Sequence, residues 1–215
     1  VDALAPIANS QNATVPRQTE ADWQNEACLF TDWYLPYATD HATHTADRRH
    51  FRTLIARLLK QMPPLPETTM LKDYHCQNLM VLDEGEGATS LGILDFQDSR
   101  LGPVSYDLAS LLYDVRYNVP GRYHAILIER FAKAVGDGLT ADNLHRGVRI
   151  IALQNLLRIS GVFTRLARRD GKQQYLDYMP RLWHYVDALL ADLPEAEELA
   201  RFIDKRTPSQ KEVAV

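Results

Sequence analysis

The sequence predicts a mainly α-helical chain with a small β-hairpin inserted in its first half. Two observations carry this. Apolar residues recur at spacings of three and four on both sides of the insertion, the signature of amphipathic helices. Between Thr68 and Leu94 that texture gives way to the short apolar runs TTML, LMVL and LGIL, which read as strands.

Taken in order, residues 1–19 are polar, carry Pro6 and Pro16, and read as a linker or poorly ordered lead-in. From Glu20 to Tyr34, the residues Trp23, Ala27, Phe30 and Tyr34 share one helical face, and Pro36 stops the pattern soon after. A second helix fits Ala46 to Gln61, with Phe51, Leu54, Ile55, Leu58 and Leu59 apolar; the run MPPLP ends it. The polar, glycine-bearing segment DEGEGATS joins the last two strand-like runs as a hairpin. Helices then fit Ser105–Arg116, Tyr123–Val135, Ala141–Arg168 and Gln174–Leu190, with Pro180 kinking or breaking the last. Gly161 in the long helix costs roughly 1 kcal/mol against alanine, which close packing would explain. The main domain is thus expected over 20–205, with the helical bundle at 104–204 and a polar tail at 206–215.

Composition narrows the possible functions. Among 215 residues, 46% are hydrophobic, enough for a core, and the formal charge is -4. Such a balance offers no basic surplus for a nucleic-acid partner. No apolar run approaches a membrane span of roughly 18 residues. The two cysteines, Cys28 and Cys76, lie far apart and suit a reducing cytoplasm rather than a disulfide scaffold. The N-terminus lacks the features of a signal peptide and an initiating Met.

Chemistry concentrates in the segment 71–98. In LKDYHCQNLMVL, Asp73 and Asn78 lie on a loop between two short strands, and Asp95 in ILDFQD follows the next strand. An acid, an amide and a second acid are thereby brought to one end of a β-hairpin. Phosphoryl transfer to an alcohol asks for such a set: a carboxylate to orient the hydroxyl and take its proton, and oxygen ligands for magnesium. His75 and Cys76 have no second close ligand pair that would make a zinc site. Cys76 has no base nameable as its partner for a nucleophilic role. Trp23, Phe30, Trp33, Tyr34, Trp183 and Tyr185 are read as packing, with a sugar-lining role for Trp183 and Tyr185 as the alternative. The basic stretch RLARRDGK reads as a solvated helix end.

The order D-x-x-x-x-N, strand, loop, strand, D-F resembles the catalytic and metal motifs of the protein-kinase-like superfamily. DYHCQNLMVL and ILDFQDSRLGPVSYDLASLL are closer to its aminoglycoside phosphotransferase family. DFQD, WYLP and QNLLRISGVFTRLARRDGK are most similar to that family's bacterial kinases acting on the anomeric hydroxyl of N-acetylmuramate and N-acetylglucosamine. The resemblance covers roughly residues 20–195. It implies the C-terminal, catalytic lobe of a kinase-like fold, acting on ATP with Mg2+ and a small polar acceptor. Asp73 would be the catalytic acid/base, and Asn78 and Asp95 the metal ligands. Asp107 would brace the catalytic loop, His75 would help shape it, and Asp98 stands near the metal pair.

Two departures stand out. The position two residues before Asp73, often His in the superfamily, is Leu71. Residues 1–70 show no N-terminal lobe: no glycine precedes Gly85, and the only lysine there, Lys60, ends a helix rather than clamping a nucleotide. The missing lobe is expected upstream, and the isolated chain is expected to be inactive. The alternatives are an aminoglycoside kinase, a choline- or homoserine-type kinase, or a non-catalytic kinase-like interaction module.

Overall fold

A computed structural model describes residues 1–10, 14–83, 89–136 and 138–207. The chain divides into two compact units, one of residues 1–18 and 63–152, the other of 19–62 and 153–215.

The first unit contains the strands. Helix α1 (Leu4–Ala8) lies where the sequence reads as a lead-in; Leu4 and Ala5 are buried, and the Thr68 hydroxyl donates to the Ala8 carbonyl at 2.9 Å. Local composition missed this helix because its anchor lies 60 residues away. Strand β1 (Glu67–Met70) pairs antiparallel with β4 (Arg100–Pro103), and β2 (Leu79–Asp83) pairs antiparallel with β3 (Thr89–Ile93). The predicted hairpin is therefore present, with residues 84–88 of its turn outside the described residues. β4 carries no apolar run and was not predicted. At Gly102 a Cβ would meet the end of the Met70 side chain at 2.5 Å, so the glycine leaves that side chain its place beside the strand. Helix α5 (Ser105–Leu112) follows and is buried along most of its length, then α6 (His124–Val135). α5 ends four residues before the predicted Arg116. Helix α7 (Ala141–Asp170) begins in this unit, where the Thr140 hydroxyl accepts the Asn143 N–H at 3.2 Å.

The second unit is helical among its described residues. Helix α2 (Glu20–Ala27) starts with a reciprocal cap between Thr19 and Asp22. The single helix predicted to Tyr34 does not form. A wide turn at Phe30–Tyr34 intervenes, with the Leu35 N–H reaching the Phe30 carbonyl, and α3 (Leu35–Thr39) follows. Pro36 sits in the first turn of α3, where a missing N–H costs nothing, so it begins a helix rather than ending one. Helix α4 (Thr45–Leu59) buries Phe51, Leu54, Ile55 and Leu58, as its periodicity predicts. Within α7, Gly161 has no room for a side chain: a Cβ would stand 2.1 Å from the Leu29 carbonyl oxygen. Pro180 lies in the first turn of α8 (Met179–Asp192), after a short 3-10 segment at Gln173–Tyr178, so the predicted break is real and falls before the proline. Helix α9 (Glu197–Arg206) closes the described chain, and most of the predicted tail lies outside the described residues. No helix among the described residues is long and apolar enough to cross a membrane.

Candidate active site

All six residues that the sequence singles out lie in the first unit, on or beside the loop 71–78 and the hairpin β2–β3. The loop backbone folds on itself. The His75 N–H donates to the Asp73 carbonyl at 3.0 Å, and the Asn78 N–H to the His75 carbonyl at 2.9 Å. The Asn78 side chain closes the same turn, its Nδ2 donating to the Asp73 carbonyl at 3.0 Å. With the nitrogen so committed, the amide oxygen is the end left for a ligand. The hairpin ladder extends one step beyond its strands, where the Leu94 N–H donates to the Asn78 carbonyl at 2.9 Å. That bond sets Asp95, one residue on, at the end of the sheet where Asn78 enters it.

Asp95 adopts a left-handed backbone, φ 62°, and Lys72 another, φ 73°. Each costs about 1–3 kcal/mol unless its surroundings enforce it, and such residues gather at functional sites. For Lys72 the enforcement is visible. Its N–H donates to Asp107 Oδ1 at 3.1 Å, the Leu71 N–H donates to Oδ2 at 2.7 Å, and its Nζ lies 4.7 Å from the centre of the Tyr106 ring. Asp107 is only 3% exposed. Burial pushes its carboxyl up to about 7, against the opposing pull of the two N–H bonds and of Lys72. Asp107 thus bonds to loop backbone rather than facing solvent.

His75 reports on the charges around it. Burial lowers its pKa, Arg116 lowers it further, and Asp114, Asp73 and Asp95 oppose. The imidazole is therefore neutral near pH 7, within electrostatic reach of Asp73 and Asp95 together. Its Nε2 stands 3.5 Å from Asn78 Nδ2. Asp95 accepts from Gln97 Nε2 at 2.5 Å and is exposed. Asp98 is exposed on the following turn, with its carbonyl accepting from Arg100 Nη1 at 3.3 Å. The Cys76 thiol is pushed up to about 11 by burial and by Asp114, the opposite of what a nucleophile needs. No group of three or more His, Cys, Asp or Glu among the described residues is arranged to hold a metal ion. Amide and carboxylate oxygens, the donor types that Asn78 and Asp95 carry, are the kind magnesium takes beside waters and phosphate oxygens.

Sequence reasoning missed Lys72, Asp114 and Arg116. Asp114 is buried and accepts the Cys76 N–H at 3.1 Å and the Arg116 N–H at 2.9 Å. Its position seven residues after Asp107, within the helix the sequence predicts to Arg116, was the available signal; in the structure α5 ends at Leu112 and Asp114 follows it.

The class of protein comes from the family comparison: residues 1–147, which include the loop 71–78 and the hairpin, match the model of the phosphotransferase enzyme family. The chain belongs to that family. Among proteins it resembles are two N-acetylmuramate/N-acetylglucosamine kinases. That of Caulobacter vibrioides is 39% identical over 137 residues, covering 64% of this chain and 37% of the relative. That of Pseudomonas aeruginosa is 30% identical over 209 residues, covering 94% and 60%. The fold resembles the crystal structure of a choline/ethanolamine kinase family protein from Mesorhizobium loti, with TM-score 0.61 at 18% identity over 96% of this chain and 64% of that one. The chain thus spans at most about 60% of the length of the curated relatives it matches.

Proposed function

We propose that this chain is the catalytic and magnesium-binding part of a kinase that moves the γ-phosphoryl group of ATP to a hydroxyl of an amino sugar. One observation supports it above the rest. The Asn78 side chain is tied to the Asp73 backbone, and the Asn78 backbone is tied to the strand end that leads into Asp95. In this reading an acid, an amide oxygen and a second acid would share one rim of the first unit.

In this reading Asp73 orients the acceptor hydroxyl and receives its proton as the oxygen attacks. Asn78 Oδ1 and the Asp95 carboxylate would hold magnesium, which when bound neutralises charge on the nucleotide phosphates. Asp107 keeps the loop before Asp73 in its left-handed bend by accepting from Leu71 and Lys72. His75, neutral, packs inside the turn and shapes it without adding charge. Asp98 contributes to the acidity of the rim. The amino-sugar acceptor is favoured because the relatives above are N-acetylmuramate/N-acetylglucosamine kinases. The nucleotide-covering lobe belongs to sequence outside these residues, the 215 residues alone turn over little ATP, and the enzyme works in the cytoplasm.

An acceptor panel with Mg-ATP and the full-length protein tests this, using N-acetylmuramate, N-acetylglucosamine, choline and kanamycin. Transfer to the amino sugars is expected. Asp73→Asn should lower kcat about 10²- to 10⁴-fold while leaving nucleotide binding in place. Turnover that survives Asp73→Asn removes the acid/base assignment, and preference for choline or kanamycin removes the acceptor class.

A further inference from the structure

We propose that Asp114 is a second positioning residue, holding the Asn78 end of the loop 71–78 as Asp107 holds the Asp73 end. Its consequence for metal binding rests on the kinase reading above; the brace itself does not.

The two carboxylates make matching contacts. Asp107 accepts the Leu71 and Lys72 N–H groups, the two that lead into Asp73. Asp114 accepts the Cys76 N–H, at the start of the short turn Cys76–Asn78 that ends on the proposed metal ligand. Both acids come from α5 and its immediate continuation. There the Tyr113 N–H still donates to the Ala109 carbonyl, and the Asp114 N–H approaches the Leu111 carbonyl at 3.4 Å.

A simpler account makes Asp114 a local turn former at the end of α5, because its Oδ1 accepts the Arg116 N–H two residues on. That account explains one oxygen. The other bonds to a residue 38 positions earlier in the chain. The Asp114 side chain is wholly buried, with Arg116 Nη1 at 3.6 Å. A buried carboxylate costs several kcal/mol of desolvation unless bonds at both oxygens offset it, and a surface turn former incurs no such cost. Asp114 bonds at both oxygens.

The division of labour has two readouts. In amide hydrogen exchange on the full-length protein, Asp114→Ala should quicken Cys76 and Asn78 about tenfold, the loss of one hydrogen bond, and leave Leu71 and Lys72 protected. Asp107→Asn should give the reverse pattern. In phosphoryl transfer, Asp114→Ala should raise the magnesium midpoint about tenfold with kcat at saturating magnesium within about twofold, because it loosens the ligand end rather than Asp73. Asp114→Asn keeps the shape and one accepting oxygen, so it should fold and fall between wild type and Ala in both readouts. Exchange that quickens equally at all four amides, or at none, overturns the proposal. So does a fall in kcat with the magnesium midpoint unmoved. Because the exchange pattern needs no turnover, failure of the brace and failure of the kinase reading are distinguishable.

Discussion

In the unit that carries the acids, loop backbone is held by carboxylates: Leu71, Lys72 and Cys76 donate to Asp107 and Asp114, and two residues keep left-handed backbones. In the other unit, the backbone around Gly161 is held by contact. Gly161 lies against the Leu29 carbonyl, and the Phe30 ring packs on Tyr34 at 5.4 Å and on Phe51 at 5.0 Å. The first device fixes a few backbone groups to within a hydrogen-bond length. The second fills space and leaves nothing open. A phosphotransferase needs both: positioned groups where charge moves, and a dense scaffold that does not yield.

Substitutions at the two kinds of position should behave differently. The largest effect is expected at Gly161. The added Cβ of Gly161→Ala would sit 2.1 Å from a backbone oxygen that cannot rotate away, so we expect a loss near about 3 kcal/mol, the upper end for overpacking. Urea unfolding measures it. A neutral or stabilising result, as helix propensity alone would give, would show that contact is not what holds this unit together.

Next comes a pH effect at Asp107. Its folded-state pKa is raised to about 7 from an ordinary value of 3.8, so the folded chain holds this proton more tightly than the unfolded chain. The stability this confers is complete below about 4, is lost as pH rises through about 7, and is absent in Asp107→Asn. The wild-type urea midpoint should therefore fall relative to that of Asp107→Asn between pH 4 and 8. A difference that climbs with pH would mean that the N–H bonds and Lys72 outweigh burial.

The smallest effect is expected on the hairpin surface. Val81 in β2 is 72% exposed, so Val81→Ser should change stability by less than about 0.5 kcal/mol. A loss above about 1 kcal/mol would mean that the strand face is covered in solution.

Legibility in the sequence followed range. Asp73, Asn78 and Asp95 could be singled out because strand, loop and acid succeed one another around one hairpin, whose ladder the Leu94 N–H extends to the Asn78 carbonyl. The helices with a strong apolar face, α4 and α6, appear where their periodicity puts them. Readings failed where a distant partner decided. The helix expected from Glu20 to Tyr34 is interrupted by the wide turn at Phe30, beside the point where Gly161 closes in from more than a hundred residues away. β4 has no apolar alternation and exists because β1 pairs with it. Lys72 escaped notice because nothing in the local wording marks a left-handed lysine; Asp107, 35 positions on, imposes it.

The sequence by itself determined which side chains are available for chemistry, their order, and the helical or extended character of most of the chain. Those properties depend on neighbours a few residues apart. Only the tertiary structure decided which backbone amides the buried acids would grip, which strand would find a partner, and where a helix had to widen. A bond or a close contact between distant residues exists only once the chain has brought them together.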